Sequence, residues 1–399
     1  MVPPVAAKPR RRARPLGAVV VSAAALLGAC TGDATEDAGF VPAARDSAGV
    51  QILDLGRAPT DLPVWATVAP TPEWTAPIPT DLPAGAAPRV VGAATLSDGR
   101  VVVADAGSFR VRYHRGDETV FTVGGRGEGP GRFLSVAAMG VGRADTVWVS
   151  DPVGDKILLA DPGAEESLEG RVPIPSATVV GRFGDGSVLL ADPLPDPEPG
   201  PGLLQDSARY VRWRLTTGDT SSVGRFRAGS RVRLEDGAGE TVVLPQPAGS
   251  AVPVAVGPGR LYLGRPEARE ILGYDADATL RQILRLPALS GPLPEDLGAR
   301  YQLVGADGTV PAWSGRYLSF APERRPAFSR ILLDHAGNLW LAEHRIDESP
   351  AGVWWVVSSD GVLRGRVDLP SGGTLLEAGA AHVLLVDQDQ RVHRHRLER

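Results

Sequence analysis

The sequence is almost without lysine and cysteine: Lys8 and Lys156 are the only lysines among 42 basic residues, and Cys30 is the only cysteine. A single thiol excludes an internal disulfide and any cysteine-based metal site. No stretch carries the apolar periodicity of a long helix. Nucleotide-binding motifs are missing as well. The glycine-rich GGRGEGPGRF at 124–133 fails G-x-G-x-x-G in both registers, with Pro130 or Arg132 at the third glycine, and Gly129 is followed by Pro130, not by Lys-Ser or Lys-Thr. There is no G-x-S-x-G nucleophile elbow. The chain is acidic, with a net charge of −5, which disfavours nucleic acid as a partner.

The N-terminus has an export layout. AKPRRRAR supplies five basic residues and no acid, and the apolar run Leu16 to Gly28 that follows is thirteen residues long. Such a run spans about 20 Å as a helix, short of a hydrocarbon core of about 30 Å, so it reads as a signal peptide. It ends in Leu27-Gly28-Ala29-Cys30, which resembles the lipobox of bacterial lipoproteins. That resemblance implies cleavage after residue 29 and lipidation of Cys30, with lipid chains anchoring the protein without a span. Gly32 in place of an aspartate implies sorting to the outer membrane, facing the periplasm. Without residues 1–29 the balance is thirty-seven basic to forty-seven acidic residues, a formal −10. Residues 30–48 are small and polar and are expected to be a flexible tether.

From residue 49 to 399 the chain is a succession of short strands separated by Gly, Asp, Pro and Ser, which predicts an all-β fold. A repeat emerges when one unit is written out: VVGAATL, turn, RVVVAD, turn, FRVRYH, turn, TVFTVG. The same grammar recurs at VAAMGVGRADTVWVSD, TVVGRFGDGSVLLAD, VPVAVGPGRLYLGR, SRILLDHAGNLWLAE and LLEAGAAHVLLVD. Second strands end at Asp105, Asp151, Asp192, Arg265, Glu343 and Asp387, at intervals of 46, 41, 73, 78 and 44 residues. Three intervals match a four-stranded propeller blade. The long ones contain the proline-rich PLPDPEPGPGLLQDS, a hairpin across Val232 to Leu244, and the excursion Ala288 to Pro326. The last unit has three strands, so closing a six-bladed β-propeller requires an N-terminal strand, GVQILDL or VWATV, in the final antiparallel blade. GGRGEGPGRF then becomes the seam from the outer strand of blade one to the inner strand of blade two.

DGRVVVADAGSFRV with FTVGGRGEGPGRF, and DHAGNLWLAE, look like NHL-type repeats. Together with DSAGVQILD and PERRPAFSRILLDHAGNLWLAE, they are similar to the bacterial six-bladed propeller lipoproteins of the NHL-repeat-like group. Related propellers include scaffolds, lyases and lactonases, so the resemblance implies a fold more than an activity. Gly264-Arg265 departs from the pattern, which has an acid at the second position.

Five acids, Asp105, Asp151, Asp192, Glu343 and Asp387, close equivalent strands and would ring one face, as a ligand or cation site or as acceptors for their own turns. His344 adjoins Glu343, whereas His335 lies at the other end of the same strand and should not meet it. His114, His382, His393 and His395 complete the histidines. Trp313, Tyr317 and Phe320, in the longest insertion, form a candidate partner-contact loop. The expectation is a lipid-anchored envelope propeller that binds or scaffolds a protein, peptide or glycan without catalysis or cofactor. The alternative is an envelope lyase or lactonase-like hydrolase with a divalent cation, calcium or zinc, in the central channel.

Overall fold

A computed structural model describes residues 39–59, 61–161, 168–194, 200–235, 239–289, 291–301, 310–346, 352–370 and 372–399. Cys30 and the signal segment lie outside the described residues. Four short strands come first: β1 (Ala43–Ser47), β2 (Val50–Asp54), β3 (Val64–Val68) and β4 (Trp74–Thr75). Antiparallel sets follow in chain order. These are β5 (Val90–Thr95), β6 (Val101–Asp105), β7 (Arg110–Arg115) and β8 (Glu118–Gly124), then β9 (Ala138–Val141), β10 (Val147–Asp151), β11 (Lys156–Ala160) and β12 (Leu168–Arg171). The third set is β13 (Thr178–Arg182), β14 (Val188–Pro193), β15 (Gly202–Trp213), β16 (Thr220–Glu235) and β17 (Thr241–Pro245). The fourth is β18 (Val254–Val256), β19 (Arg260–Arg265), β20 (Glu270–Asp275) and β21 (Leu280–Arg285). The fifth is β22 (Phe328–Leu333), β23 (Leu339–Glu343), β24 (Val353–Val357) and β25 (Leu363–Asp368), and the last is β26 (Thr374–Ala378), β27 (His382–Val386) and β28 (Val392–Glu398). Two single-turn helices, α1 (Leu297–Arg300) and α2 (Ser314–Leu318), sit in the excursion before β22. No helix among the described residues is long and apolar enough to cross a membrane.

The first strand of each set touches the first strand of the next, in the cycle β5, β9, β13, β18, β22, β26 and back to β5. Side-chain alternation along the second strands explains this closure. Val147 and Val149 pack back on Val102 and Ala104 of the first set, while Trp148 between them packs forward on Val188 and Leu190 of the third. Leu189 meets Leu261 and Leu263, Tyr262 meets Leu339 and Leu341, and Trp340 meets Val383 and Leu385. Leu384 then packs on Val101 and Val103 of the first set. A strand buried on both faces reads as a continuous apolar run, and RVVVAD, TVWVSD and HVLLVD are such runs. Each buried Val or Leu contributes about 1.5–3 kcal/mol, so stability is distributed around the ring.

The N-terminal strands attach to three successive sets. β2 runs parallel to β21, with Ile52 opposite Ile283, and carries β1 as a hairpin. β3 runs parallel to β25 and its last residues pair antiparallel with β28, Val68 opposite Leu397. β4 continues along β28, with Thr75 opposite His393. VWATV therefore reaches the last set, whereas GVQILD goes to the fourth. The stretch expected to be tether contains β1, because Ala48 and Gly49 (φ +54° and +83°) make the tight turn that a two-residue hairpin needs. GLLQDS, the end of the proline-rich insertion, forms the first half of β15, paired to the extended end of β16, which carries β17 as the expected hairpin.

In the seam, Gly125 N donates to Phe109 O (2.7 Å) and Phe133 N to Gly125 O (2.9 Å). Gly124, Gly125 and Gly127 have φ of +108°, +124° and +148°. Glycine is required there, and the loop seats Phe133 in the core.

Candidate binding face

The strand-closing acids all lie on the side of the ring where inner strands begin, since each second strand runs antiparallel to its first. Asp105, fully buried, accepts Arg89 N (2.8 Å), Gly107 N (2.9 Å) and Ser108 Oγ (2.6 Å). Asp151, also buried, accepts Leu134 N (2.8 Å), Ser135 N (2.9 Å) and Gly154 N (2.9 Å). Both carboxylates thus pin the entry to an inner strand against the turn that follows the second. Asp192 is held by Arg209 Nη2 (2.6 Å), and Glu343 by Arg325. Asp387 accepts Arg391 N (2.8 Å) and contacts His393 Nε2 (2.8 Å). Each acid has its own local partner, and no group of three His, Cys, Asp or Glu arranged for a metal occurs among the described residues. His344 is buried with Nε2 3.0 Å from Gly249 O, which makes Nε2 the donor and leaves Nδ1 without a partner. Burial pushes its pKa below the ordinary histidine value, against the opposing pull of that hydrogen bond.

Trp313, Tyr317 and Phe320 gather on the extended hairpin of the third set, with Val232, Leu234 and Leu244. Tyr317 is buried and its hydroxyl donates to Pro245 O (2.7 Å), while Gln246 Nε2 donates to Phe320 O (2.8 Å). They form a small satellite core that holds the insertion to the rim of the ring.

A concavity on this face lies between the first and last sets, a cavity of about 320 Å³ lined on one side by residues 76–79 and Pro88. Its walls are Ala76, Pro77, Ile78, Val90, Val103 and Val392; its polar end is Asp105, Arg112 and His114, and Gln390 and Arg391 stand at the rim. Arg112 is buried, with Nη1 3.0 Å from Ser108 Oγ and 3.6 Å from Asp105 Oδ2, and it pairs with Asp81. Burial pushes Asp81 up, yet the hydrogen bond and charge of Arg112, with the charge of Arg110, leave its carboxyl below the usual range. His114 is buried against Trp74 (ring centroids 5.7 Å) with Nδ1 3.2 Å from Thr119 Oγ1. Desolvation, aided by Arg112, brings its pKa down to about 4, so it is a neutral ring at physiological pH. An apolar hollow with a few convergent polar groups is the usual form of a small-ligand or side-chain pocket. Sequence reasoning missed it, because the segment APIPTDLPAGAAP has the composition of a linker.

On the opposite side of the ring, His335, His382 and Glu377 converge with Thr95. His335 Nε2 is 2.6 Å from Glu377 Oε1, and Glu377 Oε2 accepts Thr95 N (2.7 Å) and Oγ1 (3.0 Å). His382 Nε2 is 2.8 Å from Thr95 Oγ1. His335 and His344 stay apart, as expected from opposite ends of one strand.

The closed cycle of inner strands, each set packed only on its neighbours, makes this protein a β-propeller. No protein-family model matches the chain, and no curated protein matches it in sequence. Among solved structures it is similar to virginiamycin B lyase from Staphylococcus aureus at 10% identity, over 80% of this chain and 97% of that one, with a TM-score of 0.41. It is also similar to a member of the DUF4221 family from Bacteroides vulgatus at 9% identity, covering 84% and 98% of the two chains, TM-score 0.47. The WD40 repeats of RRP9 align at 11% identity over 79% and 99%, TM-score 0.37. Superpositions this loose carry no argument about chemistry, and the class rests on the strand cycle itself.

Proposed function

We propose that this protein is an exported, lipid-anchored six-bladed propeller of the NHL-like group, acting in the bacterial envelope as a non-catalytic binding module. The signal layout ending at Cys30 supports the export and the anchor at the outer membrane. The observation that carries the binding role is the cavity between the first and last sets, whose apolar walls meet a polar end already tied into structural hydrogen bonds. Asp105 and Arg112 are held by Ser108, Arg89 and Asp81, so they are fixed recognition groups, not a free acid and base. An apolar side chain of a peptide or protein, or the apolar face of a glycan, fits such a hollow, with hydrogen bonds to the rim at Gln390 and Arg391. No resident cofactor is part of the proposal.

The test is a thermal-shift screen of the full-length protein against peptide and glycan panels, repeated with Ile78→Asp at the cavity wall. Binding that raises the melting temperature and is lost in the variant is the expected result. Turnover of an ester or lactone, with a stoichiometric divalent metal lost on replacing Glu343, His344 or Asp105, would replace this reading with that of an envelope lyase or hydrolase.

A further inference from the structure

A second cavity, of about 380 Å³, opens between the third and fourth sets. Its floor is apolar, made by Phe226, Val252, Leu263 and Leu272, with Pro266 and Ala268 at the edge. The floor is braced, since the Phe226 ring stands edge-on to Tyr210 (5.7 Å) and Tyr274 (5.5 Å). Three arginines, Arg225, Arg227 and Arg265, surround the mouth. Arg265 occupies the position that an acid, Asp105, Asp151, Asp192, Glu343 or Asp387, holds in the other sets.

The charges around this mouth do not cancel. Arg227 Nη1 is 2.9 Å from Glu267, and Arg265 Nη1 is 3.0 Å from Glu270, which Arg285 Nε also approaches at 3.2 Å. Arg225 lies opposite Arg209 in the ladder between β15 and β16, and Arg209 is engaged by Asp192. Arg225 makes no ion pair among the described residues. Like charges directly opposite in a sheet are destabilising. Among the residues lining the cavity, three arginines stand against one carboxylate, Glu267, an excess of two positive charges in a chain whose net charge is −5.

We propose that this cavity binds a small organic acid, its carboxylate on Arg225 at the mouth and its apolar body on Phe226, Leu263 and Leu272. A guanidinium presents paired N–H donors that match a carboxylate, and that bond is stronger beside an apolar surface than in open water. Inorganic phosphate would satisfy the charge but leave the braced apolar floor exposed. An acid of about ten non-hydrogen atoms in all suits a hollow at the small end of ligand-pocket sizes. This site is separate from the one between the first and last sets and does not depend on it.

Isothermal titration of the full-length protein with octanoate and with 3-phenylpropionate, against octanamide and 3-phenylpropionamide, tests the assignment. Saturable one-site binding of the acids is expected, at least tenfold weaker for the amides. Arg225→Gln should weaken the acids at least tenfold while leaving the amides unchanged and the thermal melt intact. Val252→Trp, which fills the floor, should abolish binding of acids and amides alike, and Ile78→Asp at the other cavity should leave both as they are. Amides that bind as well as acids, acids that bind as tightly to Arg225→Gln as to the wild type, or no acid binding at millimolar concentration would each overturn it.

Discussion

His335 Nε2 stands 2.6 Å from Glu377 Oε1, joining the turn after one inner strand to the inner strand of the next set. The contact gives Oε1 no aligned donor, yet the Glu377 carboxylate beside the imidazole raises His335 above the ordinary 6.5. Burial pushes Glu377 up, but His335 and His382 more than offset this and leave it below the ordinary 4.5. The raised histidine stabilises the fold fully below pH 6.5 and ceases to do so as pH rises through its folded value. The lowered glutamate stabilises above pH 4.5 and ceases to as pH falls through its own. Their coupling is therefore greatest between those limits. Because His335 is half exposed, His335→Gln should cost no more than about 1 kcal/mol near pH 5.5 and almost nothing at pH 9, read from urea midpoints.

His114 works in the opposite sense. Held neutral by burial, with a pKa of about 4, it resists the proton that an unfolded histidine accepts below pH 6.5. Stability present above pH 6.5 is thus lost as pH falls toward 4, by up to about 3 kcal/mol for a shift of this size. Urea midpoints of the wild type and His114→Gln, compared at pH 7.5 and pH 4.5, should converge or cross at the acid end. A constant gap across that range would rule out this role for His114.

Two glycines of the seam separate sharply. A Cβ on Gly124 would lie 2.5 Å from Phe109 O, at a φ of +108°. Gly129 has open space around it and no positive φ. Gly124→Ala should cost about 1–3 kcal/mol through strain and the displaced Phe133. Gly129→Ala should be neutral or stabilise by up to about 1 kcal/mol, because it removes freedom only from the unfolded chain. Thermal melts of the two variants decide between them.

Tyr317 anchors the insertion through one hydrogen bond. Tyr317→Phe keeps the ring in its cluster and removes the bond to Pro245 O, so a loss of about 1 kcal/mol is expected. Burial, with the nearby Tyr301, pushes the Tyr317 phenol up to about 12. Alkaline difference spectra should show one fewer late-titrating phenol in the variant.

The ring was legible in the sequence because its signals are local. RVVVAD, TVWVSD and HVLLVD carry their burial in consecutive residues, and stretches rich in Gly, Asp and Ser separate the strands. Asp105 and Asp151 could be assigned to turn hydrogen bonding for the same reason. The cavity at Ile78 could not be seen, since its walls come from residues about 300 positions apart that meet only when the ring closes. The convergence of His335, His382 and Glu377 was hidden likewise, each lying in a different turn or strand. Arg265 was visible as a departure, but Arg225 became meaningful only once the long β15–β16 hairpin fixed its register.

The pairing of β3 and β4 with β28 has a kinetic consequence. The residues that complete the last sheet are made early, yet their partners at 392–398 leave the ribosome more than 300 residues later. During that interval the edges of β3 and β4 are open to any other extended chain, and closing so large a loop is slow. A chain with this topology cannot finish folding segment by segment as it emerges. Its last sheet closes only after residues 392–398 are made, so the final stabilising step joins the two ends of the ring.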